Sequence, residues 1–430
     1  MPSSSLTRCI SFRLSAVTLL IWVICVIWPT EEFAAAQTLN DIARPQTRPA
    51  IQVLAWGGPP ATVERLREMK EAGFTISFNG FANLDAAIAG LDAARVAGVR
   101  LLVSCPQLAA DPLAAATRLK SHPALAGYFL KDEPSASSFA ELAHWLRQLR
   151  AADAEHDGYI NLFPNYAKAE QLGVATYREY LDDFVKTTPV SFLSFDHYPV
   201  IQLPGEAATL RPLWYENLEQ ASAVARQARI SLWAFALSTR HFKYPTATLA
   251  QLRVQAFSDL AYGAQTIQYF KYWQTSGGKS PFADAPMLDG ERTVVYERVK
   301  QVNQEIRGLA DAFAGSQVIA VGHTGQSIPA GTRRYEPRSP VSAIKTDGPA
   351  GSGAVVSLLS NHDRRFLILV NRDINAALGI SLTLDESPAA AGVQRLEKDS
   401  SLHALADHAF QTDLAPGDIA VFAWKESKAP

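Results

Sequence analysis

Residues 126–163 read AGYFLKDEPSASSFAELAHWLRQLRAADAEHDGYINLF. An apolar run is followed by a stretch of helical period, over residues 137–152, and then by a second apolar run. AGYFLK and GYINLF mix aromatic, Leu and β-branched residues without clean polar alternation, as strands buried on both faces do. The same stride continues outward in both directions. Upstream lie IQVLAW from Ile51, FTISFN from Phe74 and VRLLVS from Val99; downstream lie SFLSFD from Ser191, ISLWAF from Ile230 and AQTIQYF from Ala264. Helical patterns separate them, one opened by Thr62 as N-cap and closed by Gly73, another over residues 249–262. Eight strands alternating with helices over about 230 residues predict an α/β fold, a (β/α)8 barrel. The rival, a doubly wound open sheet, requires a Gly-rich phosphate turn after strand one, and WGGPPAT lacks that spacing.

After Gly315 the texture changes. VIAVG, AVVSLLS, RFLILVN, ISLTL and AVFAW are separated by Gly, Pro, Asn and Asp turns. This predicts a C-terminal antiparallel β-sandwich of about one hundred residues. At the other end, Arg8 and Arg13 precede an apolar run over residues 14–28 that is short for a membrane span, and Ala34-Ala35-Ala36 supplies a small-residue cleavage site. The expected organisation is a signal peptide over 1–36, a linker over 37–50, a catalytic barrel over 51–315 and an accessory sandwich over 316–430. An exported protein, secreted or periplasmic, follows, with an uncleaved membrane anchor as the alternative. Of three cysteines only Cys105 survives cleavage, so no disulfide framework is expected.

Forty basic and forty-two acidic residues leave a net charge of -2. With no long basic run, nucleic acid is not an expected partner, and no membrane partner is expected after cleavage. The nine His are scattered, HExxH is absent, and no metal or other cofactor is expected. Gly277-Gly278-Lys279-Ser280 has Trp273 where a phosphate loop needs Gly.

A barrel of this kind places its chemistry at the C-terminal strand ends. Those ends carry Trp56, Asn79, Asp132 and Glu133, Asn165 and Tyr166, then Asp196, His197 and Tyr198, and finally Tyr272 and Trp273. Carboxylates, amides and aromatics with little positive charge suit a carbohydrate, whose ring faces stack on aromatics and whose hydroxyls meet amides and acids. An oligo- or polysaccharide is therefore the expected partner. Trp56, Tyr272 and Trp273 are the expected platforms. Asn79, Asn165, Tyr166, His197 and Tyr198 are the expected polar contacts, although His197 also reads as a hydrogen-bonded core residue.

The segment GYFLKDEPS, residues 127–135, resembles the strand-four signature of the retaining TIM-barrel glycoside hydrolases, which include the barrel β-galactosidases and cellulase-like enzymes. There an Asn-Glu-Pro triplet carries the acid/base glutamate; here it reads Asp132-Glu133-Pro134. The resemblance implies a glycoside hydrolase with Glu133 as general acid/base. It also implies a Tyr after strand six, matched by Tyr198, and a Trp-bearing strand eight, matched by LAYGAQTIQYFKYW. The nucleophile of that clan is a strand-seven Glu, whereas ISLWAFALSTRHFKYP carries no carboxylate. Asp196, Asp132, Asp284, Asp289 and Glu291 are the candidates for the second acid. Asp196 is expected to face Glu133 across a gap wide enough for a water, as a base in an inverting reaction. The Asp132-Glu133 pair also resembles the substrate-assisted N-acetylhexosaminidases. A catalytically silent carbohydrate-binding barrel, and a barrel enzyme of unrelated chemistry, are the remaining readings.

Overall fold

The computed structural model describes residues 50–426 apart from 278–280, 388 and 406, and the expected signal peptide and most of the linker lie outside the described residues. All eight expected runs are strands of one closed parallel barrel. They are β1 (Gln52–Trp56), β2 (Ile76–Gly80), β3 (Arg100–Ser104), β4 (Leu125–Asp132), β5 (Asp157–Leu162), β6 (Phe192–Phe195), β7 (Ser231–Leu237) and β8 (Ala264–Phe270). β8 closes on β1 with Trp56 opposite Phe270.

The principal helices, one after each strand, are α1 (Val63–Glu71), α2 (Leu84–Ala97), α3 (Pro112–Leu119), α4 (Phe139–Ala152), α5 (Tyr177–Thr187), α6 (Trp214–Ala228), α7 (Leu249–Ala261) and α8 (Val294–Gly308). Six of the eight start at a residue whose side chain caps the helix. Thr62 caps α1 by accepting from the Arg65 N–H, and Thr248 with Gln251 forms a reciprocal capping box on α7.

Inside the barrel, alternation turns Leu54 and Trp56, Ile76 and Phe78, Tyr159, Phe192, and Trp233 and Phe235 into one apolar cluster. Three polar side chains run up through it. The Tyr159 hydroxyl donates to Gln268 Oε1 at 2.6 Å, Gln268 Nε2 donates to Ser194 Oγ at 2.8 Å, and Ser194 Oγ donates to Asn161 Oδ1 at 2.9 Å. Every member is buried and partnered, as an interior polar chain must be. It ends at Asn161, directly below the candidate site.

The sandwich begins with β9 (Gln317–His323) and continues with β10 (Val341–Asp347), β11 (Ala354–Asn361), β12 (Arg364–Asn371), β13 (Leu378–Leu384), β14 (Gln394–Leu396), β15 (Leu402–Ala404), β16 (Ala409–Leu414) and β17 (Ile419–Lys425). One sheet has the order β9-β11-β12-β17-β14-β15 and the other β10-β13-β16. The larger sheet is covered on both faces. Val356, Leu367, Leu369 and Phe422 meet the smaller sheet, while Val355, Leu359, Phe366, Ile368 and Val421 join the core of the barrel helices. That is why AVVSLLS and RFLILVN lack alternation. The Asn361 amide donates to the carbonyls of Asp311 and Ala314, both at 2.9 Å, so barrel and sandwich form one compact unit.

Asp259 on α7 is 1% exposed, and neither carboxylate oxygen has a hydrogen-bond partner among the described residues. Burial raises its pKa well above the usual carboxylate range, so it folds as the neutral acid. The unfolded chain releases that proton above about pH 4 while the folded chain keeps it. Stability is then fully present below that pH and falls as pH rises, by about 1.4 kcal/mol per pH unit while Asp259 stays protonated. Asp259→Leu is expected to raise the unfolding midpoint at pH 7, with the gain shrinking toward pH 4. Thermal melts at both pH values check this.

Candidate active site

Asp132 and Glu133 stand at the C-terminal end of β4, and Asp196 follows β6 directly. β5 lies between those two strands, and its Asn161 side chain links them. Asn161 Nδ2 donates to Asp132 Oδ1 at 3.1 Å and to Asp196 Oδ1 at 2.9 Å. The Asn161 carbonyl also accepts from the Glu133 N–H at 2.9 Å. Glu133 has φ 45°, a left-handed conformation unusual for a residue other than glycine, which turns its side chain off the line of the strand. The Glu133 and Asp196 carboxyl groups lie near enough for each to shift the other's titration.

Neighbouring carboxylates resist ionising together, so the pair holds a proton to higher pH than either acid alone. Burial, then the neighbouring Asp132 charge, pushes Glu133 up to about 7. Burial and the charges of Glu133 and Asp132 hold Asp196 well above its usual range. Asp196 is nonetheless the better supported anion, because the Asn161 amide donates to it and the nearby Tyr198 hydroxyl also favours its charged form. Asp132 lies open at the rim and is raised more modestly, by burial of its carboxyl against the opposing effects of Asn161 and Lys131.

The other candidates for the second acid are engaged elsewhere. Asp284 binds Arg240 at 2.8 Å and Thr246 at 2.6 Å, Asp289 holds Ser276, and Glu291 is exposed in a short outer strand.

Trp56 is 9% exposed and forms the floor of the mouth, ringed by Phe78, Phe129, Tyr159 and Phe235 at 4.7–5.7 Å between ring centres. Tyr166 keeps 39% exposure and carries the Arg211 guanidinium 4.5 Å above its ring. Tyr198 is buried between Phe235, Tyr244 and Phe270.

Five expected contacts have structural duties instead. Asn79 points out of the barrel, accepts from Ser77 Oγ and donates to the Pro59 carbonyl, which fixes the loop after β1. Asn165 Nδ2 donates to the Leu213 carbonyl and ties the loop after β5 to the start of α6. His197 is buried against Asn217 Oδ1 at 3.0 Å, and burial lowers its pKa to about 3, so it is neutral. Tyr272 is wholly buried on the outer side, edge-on to Phe74. Trp273 lies under Arg65 of α1, away from the mouth.

The inward aromatic of β8 is Phe270, 5.5 Å from Tyr198. Asn161, Arg211, Tyr244, Phe270 and Lys271 are site residues that the strand-end reading missed. Asn161 and Phe270 were accessible from alternation, since each lies two residues beyond an inward member of the polar chain, Tyr159 and Gln268 respectively.

Among the described residues no group of three or more His, Cys, Asp or Glu side chains is arranged to hold a metal ion. No helix among them is long and apolar enough to cross a membrane. A cavity of about 610 Å³ at the opposite end of the barrel, lined by Arg226, Arg229, Ser231 and Gln265, contains no carboxylate.

No family model matches the sequence, and no curated protein matches it. Solved structures do. A catalytic mutant of a GH42 β-galactosidase from G. stearothermophilus is similar at a TM-score of 0.55, with 9% identity over 89% of this chain and 99% of that one. The chain has the fold of the TIM-barrel glycoside hydrolases. A putative α-galactosidase from Bacteroides fragilis NCTC 9343 matches at 0.51, with 10% identity over 89% of this chain and 80% of that one. An α-amylase from Geobacillus thermoleovorans, complexed with acarbose, matches at 0.50, with 10% identity over 89% and 100%. At such identities the likeness is one of fold, and function has to be argued from the site.

Proposed function

We propose that the protein is an exported glycoside hydrolase in which Glu133 is the general acid/base and Asp196 the second carboxylate. The observation that carries this reading is the carboxyl cluster at the barrel mouth, Asp132 and Asp196 joined by the Asn161 amide and Glu133 beside them raised to about 7. A sugar ring seated on Trp56 and Tyr166 parts the pair. The proton stays with Glu133, because the Asn161 amide and the nearby Tyr198 hydroxyl favour the Asp196 anion. Glu133 then protonates the glycosidic oxygen as the bond to the anomeric carbon breaks.

Retaining enzymes hold their carboxyls at ~5–5.5 Å and inverting ones at ~6.5–9.5 Å. With the two carboxyl groups near enough to shift each other's titration, the shorter separation needs the smaller movement. Asp196 is accordingly the nucleophile and retention the expected course, in place of the inversion expected from strand spacing alone. Water activated by Glu133 then hydrolyses the Asp196 ester. Export follows from the signal-like residues 1–36.

Release of sugar from a panel of aryl glycosides and polysaccharides by the purified protein, compared with Glu133→Gln, tests the proposal. The pH profile is a further check. Activity is expected to fall as pH rises through about 7, because the acid must carry its proton. Asp132→Asn removes a charge that raises Glu133, so the alkaline limb of kcat/KM should move to lower pH. An unmoved limb would separate Asp132 from the proton donor.

A further inference from the structure

The rim formed by the loops after β6, β7 and β8 differs from the acidic centre. The loop after β7 turns at Phe242, whose φ of 47° is left-handed and whose ring is 83% exposed. Holding a bulky aromatic in that conformation at the surface is strain of the kind found at ligand clamps. Leu203 of the loop after β6 is 49% exposed, and the Gln202 N–H donates to the Lys243 carbonyl at 2.8 Å. The two loops thus frame a depression of about 450 Å³ lined by Leu203, Arg240, Phe242, Lys243 and Tyr244.

Lys271 stands at the end of β8, half-buried, with its stem along Gly57 and its Nζ 4.6 Å from the centre of the Phe282 ring. Neighbouring His241 is held neutral by burial. Phe270, the residue before Lys271, packs on Tyr198, two residues from Asp196 in the loop after β6, so this rim adjoins the reacting centre.

The acids on these loops do not serve the two lysines. Asp284 is taken by Arg240 and Thr246, Asp289 by Ser276, and Glu206 lies exposed on the loop after β6. Neither Lys271 nor Lys243 forms an ion pair among the described residues. A half-buried ammonium without a counter-charge is costly, and burial lowers the Lys271 pKa. An anion arriving from outside removes that cost.

We propose that this rim binds a sugar chain carrying anionic groups, carboxylates or sulfate esters, with Lys271 pairing one anion beside the reacting centre and the depression at Lys243 and Phe242 taking another charged residue of the chain. The inference rests on the glycosidase reading for its place beside the reacting bond. Binding itself needs no bond cleavage.

Affinity electrophoresis of the full protein at about 0.15 M salt, where loose surface charge is largely screened, tests it. The gels contain polygalacturonate or its fully methyl-esterified form, alginate, and dextran sulfate or dextran. Retardation is expected with at least one charged polymer and not with its uncharged counterpart. Retardation by the uronates identifies a carboxylate, and by dextran sulfate alone a sulfate ester. Lys271→Met combined with Lys243→Met should weaken retention by roughly tenfold or more, the scale of a lost charge-assisted contact. Lys271→Arg should keep most of it. Equal retention on charged and uncharged polymers, retention on none, or an unchanged double variant would overturn the subsite. Neutral aryl glycosides, which do not use it, report on hydrolysis separately.

Discussion

Glu133→Gln is expected to lower kcat on glycosides with poor leaving groups by about 10²–10⁴-fold, the usual contribution of a positioned general acid. The amide preserves shape, but it has no proton of carboxylic acidity to deliver. Substrates with very good leaving groups, such as dinitrophenyl glycosides, need little protonation and should be much less affected in their first step. The variant should fold normally, because the bond that anchors this position runs from its backbone N–H to the Asn161 carbonyl. Steady-state kinetics across a leaving-group series checks the prediction. Equal turnover of natural glycosides by variant and parent would remove Glu133 from the proton-donor role.

Asp196→Ala should be more damaging still, with a loss on the order of 10⁴-fold or more for removal of a covalent nucleophile. The distinguishing readout is chemical rescue. With dinitrophenyl glycosides, azide can enter the space left by the missing carboxylate and attack the anomeric carbon from the same face. The product should be a glycosyl azide of inverted configuration relative to the substrate, with Glu133 intact. Full activity in the alanine variant would return the second-acid role to Asp132. Glu133 would also lose the neighbouring Asp196 negative charge, so its titration should move downward. That shift separates the nucleophile from a residue needed only for folding.

The barrel was legible because each parallel strand is covered on both faces, so its sequence is a short unbroken apolar run between helical stretches. IQVLAW and AQTIQYF, distant in sequence, close the barrel at Trp56 and Phe270 with no residue between them reading otherwise. The carboxylates were legible because polar residues at the ends of such runs have only the mouth to occupy.

Side-chain direction was harder to read. Asn79 sits next to inward Phe78 and therefore faces out; Tyr272 and Trp273 continue past Phe270 onto the outer side. Being near a strand end does not determine which way a residue faces, whereas period-two alternation does. The convergence of the acids of β4 and β6 depends instead on the width of the barrel. An eight-stranded barrel is only wide enough for its side chains to fill, so groups two strands apart converge rather than face each other across a groove. Asn161, on the strand between them, holds Asp132 and Asp196 together.

The most direct test of the Glu133–Asp196 assignment is the anomeric configuration of the first sugar released, followed by proton NMR from the earliest seconds of hydrolysis by the purified protein. Retention is expected, with the product appearing in the substrate's configuration before mutarotation and with Glu133→Gln abolishing the signal for unactivated glycosides. A first product of inverted configuration, or release of sugar undiminished in Glu133→Gln, would contradict it.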